Sequence, residues 1–176
     1  MKRGIQSITL VGLLAAGASL LVAQPPQPQV HDHEGHHREM LQRGAQAMGF
    51  DQERTVHHFL LYDDGGAIEV SVKEASDHVN LHAVRQHLQD IAGRFKAGDF
   101  SKPALTHARQ VLGTAEMTRL KNRIAYQYEE TPTGGRVRMV THDAGALAAV
   151  HAFLRFQIED HRTGDPDHVR PRSDRG

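Results

Sequence analysis

Two runs rich in β-branched and aromatic residues, Thr55-Val-His-His-Phe-Leu-Leu-Tyr62 and Ala67-Ile-Glu-Val-Ser-Val72, flank Asp63-Asp-Gly-Gly66. Runs of this composition around an Asp-Gly step read as a β-hairpin. With Asp64-Gly65 as a two-residue turn, Leu61 pairs with Ile68, Phe59 with Val70 and His57 with Val72 on one face. His58, Leu60, Tyr62, Glu69 and Ser71 take the other, so His57 points inward and His58 outward. A helix follows at once, because Leu81, Val84, Leu88, Ile91 and Phe95 keep the 3-4-3-4 spacing of one apolar stripe. Ser76 or Asp77 can cap its start, and Gly98 suits the left-handed position after its end.

The same pattern recurs further along. Ile124–Glu130 and Arg136–Thr141 flank Thr131-Pro-Thr-Gly134, which reads as a four-residue loop. Tyr126, Tyr128, Val137 and Met139 then share one face, and Glu129 stands opposite Arg136 on the other. Asp143 can cap a second long helix with Leu147, Val150, Leu154 and Ile158 on its inner stripe. Together these units predict an α+β fold: two β-hairpin–helix units forming a four-stranded antiparallel sheet, with the helices packed on one face. A short N-terminal helix, Arg38–Met48, precedes them and ends at Gly49. Phe100–Gly113 holds Pro103 and no sustained period, so it reads mostly as loop. Thr114 can cap a short helix over Ala115–Arg123. Phe153 and Phe156 make the second long helix apolar nearly all round, which calls for a second packing surface or a dimer contact.

A chain of 176 residues suits one core. Met1-Lys-Arg3 followed by the apolar run Ile8–Ala23 reads as a signal peptide over 1–23, which predicts a periplasmic or secreted protein with no membrane span after cleavage. The alternative is retention as an anchor. Residues 24–37 read as a flexible arm, Pro/Gln-rich and then His-rich; 38–161 as a single α+β domain; 162–176, charged and with two prolines, as a disordered tail. The chain has no cysteine, which excludes disulfides and thiolate metal ligands. Loss of Lys2 and Arg3 with the leader takes the basic count from 21 to 19 against 21 acidic residues, a net charge of −2 with histidines neutral. That balance offers no footprint for nucleic acid.

Fourteen histidines remain to be explained. The arm carries His31, His33, His36 and His37 beside Asp32 and Glu34, a density of imidazole and carboxylate that binds Cu, Zn or Ni. His33-Glu-Gly-His-His37 also matches H-E-x-x-H, but on a polar, Gly-containing arm rather than the buried helix a zinc protease needs. Within the domain, His57 and His151 lie on faces expected to meet, with His107 or His142 as a third ligand. His151 falls directly on an apolar stripe, where an imidazole needs either a hydrogen-bond partner or a metal ion. His78 and His82 form an exposed i, i+4 pair, and His87 lies on the opposite flank of that helix.

Three functions fit these features. The first is an exported small binding protein for a transition-metal ion. The second is a non-enzymatic cell-envelope module that meets a second copy or an envelope protein through Leu60, Tyr62, Phe153 and Phe156. The third is a metal-dependent hydrolase, although no nucleophile elbow, phosphate loop or spaced acid pair is present.

Phe50-Asp-Gln, Thr55-Val-His-His-Phe-Leu-Leu61, Gly134-Gly-Arg-Val-Arg-Met139 and Ala149-Val-His-Ala-Phe-Leu-Arg-Phe-Gln-Ile158 resemble strings in a group of small exported bacterial proteins, His-rich and of uncharacterised function. Some of that group carry an aspartate carbamoyltransferase label. This chain is too short for two carbamoyl-phosphate-type domains and has no Ser-Thr-Arg-Thr phosphate loop, so the resemblance implies no catalytic residue.

Overall fold

A computed structural model describes residues 33–170; the leader, the Pro/Gln stretch, His31 and residues 171–176 lie outside the described residues. The fold is α+β. Strands β1 (Thr55–Tyr62), β2 (Gly65–Val72), β3 (Ile124–Thr131) and β4 (Gly134–Thr141) form one antiparallel sheet in the order β1-β2-β4-β3. Two long helices, α2 (His78–Ala97) and α5 (Ala144–His161), cover one face. Each follows one hairpin and packs mainly on the other: α2 lies across β4 and β3, and α5 across β1 and β2. Phe59, Leu61, Ile68, Val70, Val137 and Met139 from the sheet meet Val84, Leu88, Phe95, Val150 and Leu154 from the helices in a single core.

The first hairpin departs from expectation by two places in register. Asp63 and Asp64 form the turn, so Tyr62 pairs with Gly65, Phe59 with Ile68 and His57 with Val70. A shift of two leaves every side chain on its expected face. The reason lies in the neighbouring strand: a Cβ on Gly65, which holds φ +145°, would stand 1.9 Å from the Met139 carbonyl oxygen. The glycine is needed for close pairing of β2 with β4, not for the turn. Gly134 plays the same part in the other hairpin, where a Cβ would stand 1.9 Å from the Val70 carbonyl oxygen. That hairpin turns through Pro132 and Thr133 alone, and Glu129 does face Arg136.

Capping follows the side-chain chemistry. Asp77 accepts from the Asn80 N–H and Asp143 from the Ala146 N–H, while Gly98 closes α2 at φ +83°. The stretch expected as loop contains α3 (Ser101–His107), which tolerates Pro103 because it falls in the first turn, where no N–H is required. The next helix, α4, covers only Thr114–Arg119, follows Gly113, and gives way to a 3₁₀ turn at Lys121–Arg123. Helix α1 runs His33–Met48, so it begins five residues before the expected Arg38 and takes in the backbone from His33 to His37.

The segment read as a tail is tied down as far as Arg170. Asp165 accepts from the Phe59 N–H at 3.0 Å and from His58 Nδ1 at 2.9 Å, and the Arg170 N–H reaches the Leu61 carbonyl at 3.0 Å. These bonds occupy the outer edge of β1, which would otherwise present unpaired backbone groups. No helix among the described residues is long and apolar enough to cross a membrane.

Candidate functional site

The four histidines expected to converge in the domain do not form one cluster. His151 is buried, and its Nε2–H donates to the carbonyls of Tyr62 at 2.8 Å and Gly65 at 3.0 Å. It is a satisfied core histidine that pins α5 to the first turn. His142 is exposed after β4. His57 and His107 do border the same cavity, and they are joined there by His87 and His161. The histidines of the arm are a separate matter: His31 and the side chains of His33, His36 and His37 lie outside the described residues.

The cavity is about 60 Å³ and sits between β1, α2, α3 and α5. Its walls are largely apolar, from Phe59, Ile68, Val70, Leu88, Phe95 and Phe153, with Met48 entering from the end of α1. Three polar atoms on its border are buried and find no hydrogen-bond partner: His57 Nε2, His87 Nδ1 and Gln157 Nε2. Orphaned buried groups of this kind are rare in folded proteins, since each costs about 1–3 kcal/mol.

Aromatic contacts hold the imidazoles in place. Phe50 stacks on His57, centroids 5.7 Å apart, and meets His87 edge-on at 5.5 Å. The His161 ring lies 5.7 Å from His57 and 5.1 Å from His107. Burial, reinforced by the neighbouring His58, lowers the His57 pKa from 6.5 to about 4. Burial, followed by the charges of Lys102 and His57, lowers that of His87 to about 3, with Asp90 pulling weakly the other way. Both rings are therefore neutral near pH 7 and available as metal ligands or hydrogen-bond partners.

His107 belongs to a network of its own. Its Nδ1 pairs with Asp160, which also binds the Arg109 guanidinium, and its Nε2 lies 3.0 Å from Gln157 Oε1. Burial works against ionisation of Asp160, but the hydrogen bonds and charges of His107 and Arg109 outweigh it and hold the carboxyl below its ordinary 3.8. Both nitrogens of His107 are occupied, so it frames the cavity rather than offering a ligand atom.

The expected outer apolar surface is absent at Phe153 and Phe156. Both are buried: Phe153 beneath Phe100, and Phe156 against His107 with the Arg109 guanidinium 4.5 Å above its ring. Among the described residues no three His, Asp or Glu side chains form a ready metal cage. Comparison with protein families, with curated proteins and with solved structures yields no match for this chain.

Proposed function

We propose that the protein is an exported, periplasmic small binding protein for a transition-metal ion (Cu, Zn or Ni), which it takes into the imidazole-bordered cavity as well as onto the histidine-rich segment at 31–37. One observation carries the reading: His57 Nε2 and His87 Nδ1 border one cavity, neutral and without protein partners. Its volume of about 60 Å³ supports an occupant of a few atoms, being above the ~10–15 Å³ that one water needs and far below the ~300 Å³ at which organic-ligand pockets begin. Export rests on the leader-like residues 1–23 and agrees with a cysteine-free chain.

The test is elemental analysis of the purified full chain beside a variant carrying His31→Ala, His33→Ala, His36→Ala and His37→Ala. Stoichiometric metal in the variant is the expected result. Metal in neither protein, after exposure to Cu, Zn and Ni in turn, overturns the proposal.

A further inference from the structure

The cavity offers few donors, and those without a charged partner are all neutral. Lys102 is engaged by Asp90 at 2.8 Å, and His107 is engaged at both nitrogens. His161 also borders the cavity and packs against the rings of His57 and His107; the partnerless nitrogens are His57 Nε2 and His87 Nδ1, with the Met48 side chain and the Gln157 amide on the same wall. No aspartate or glutamate borders the cavity. A divalent ion would therefore bring two uncompensated charges into an apolar space. The desolvation cost grows as the square of the charge, so a monovalent ion meets about a quarter of it. Zinc in a structural site also calls for four ligands, whereas a soft thioether beside two neutral imidazoles is a donor set of the number and kind that Cu⁺ accepts.

We propose that the cavity is a site for one Cu⁺ ion, bound by His57, His87 and Met48. This rests on the metal-binding reading above and narrows it to an oxidation state and a ligand set. Phe50, packed against both imidazoles, is the positioning residue. The segment at 31–37, which sets the carboxylates of Asp32 and Glu34 among four imidazoles, suits divalent ions instead, so the two regions divide the metal by charge.

The experiment is an anaerobic competition titration of the full-length arm variant with Cu⁺ held by bicinchoninate, alongside Zn²⁺ and Ni²⁺ titrations of the same protein. One Cu⁺ per chain is expected. Met48→Leu should weaken binding ~10-fold or more, as should His87→Asn. X-ray absorption of the Cu⁺ form should show one sulfur scatterer that Met48→Leu removes, a signature that loss of folding alone would not produce. Zn²⁺ or Ni²⁺ binding without Cu⁺ would overturn this inference and leave the broader proposal standing. No metal of any kind would remove both, and Cu⁺ binding with no sulfur scatterer would exclude Met48.

Discussion

His151 and His57 show how one residue type serves opposite ends within a single core. Both lie on apolar stripes, yet His151 satisfies two backbone carbonyls and His57 leaves Nε2 without a partner. Replacing His151 with Leu, closer in volume to the imidazole than Phe is, removes the donor to Tyr62 and Gly65. Chemical denaturation should show a loss of about 1–3 kcal/mol, with the occupancy of the cavity unchanged. A neutral effect on stability would mean that the ring packs without contributing its hydrogen bonds. The inward aim of His57 was legible from alternation alone, because period two fixes the face of every strand residue. Its neighbours were not. That His161 rather than His151 reaches it depends on the path of α5 over β1, and helical periodicity defines a stripe without naming what the stripe meets. The burial of His87 is illegible in the sequence for a related reason: it lies off the stripe, on a flank that faces solvent until Phe50 folds across it.

At the level of elements, the two Gly-Gly steps do more than shape turns. Gly65 and Gly134 each open a central strand and admit a carbonyl oxygen where a Cβ would collide. Gly134→Ala should therefore disrupt β2–β4 pairing. The expected cost, on the order of 3 kcal/mol or more, exceeds the ~1 kcal/mol typical of point changes because backbone rather than a flexible side chain must move. The same substitution at Gly93, where nothing lies within 4 Å, is the control and should be mild or stabilising. The 163–170 segment is the other element whose role was hidden. Its composition is polar and proline-containing, which argues for disorder, but Asp165 and Arg170 hydrogen-bond the β1 backbone. Composition cannot register bonds whose partners lie a hundred residues away. Asp165→Ala should speed amide hydrogen exchange at Phe59 well before it alters exchange in α2. Unchanged protection at Phe59 would show that the segment merely lies beside the strand.

For the whole molecule, the exchange of helices between hairpins matters most, since neither hairpin–helix unit can bury its own apolar surface alone. The internal pattern was readable in the sequence as two similar units, but their interlocking was not, because each stripe would fit either hairpin. One consequence is that the buried imidazoles report on the global folding equilibrium rather than on a local region. In the unfolded chain His57 and His87 titrate near 6.5; in the folded protein they do so at about 4 and about 3. Above pH 6.5 both states carry them neutral and the full stability is present. As pH falls from 6.5 toward 4 the unfolded chain binds protons that the folded chain refuses, so stability declines across that window, and the slope flattens only as the folded rings begin to protonate. Asp160 acts in the same direction but lower, since its folded carboxyl lies below 3.8 and its contribution is lost only as pH drops beneath that value. Urea midpoints measured with chelator present at pH 7, 5.5 and 4.5 should therefore fall steadily, and His57→Phe with His87→Phe should flatten the decline. A midpoint constant across the window would mean that these rings are solvated, and with that the case for a buried, imidazole-bordered metal site would go.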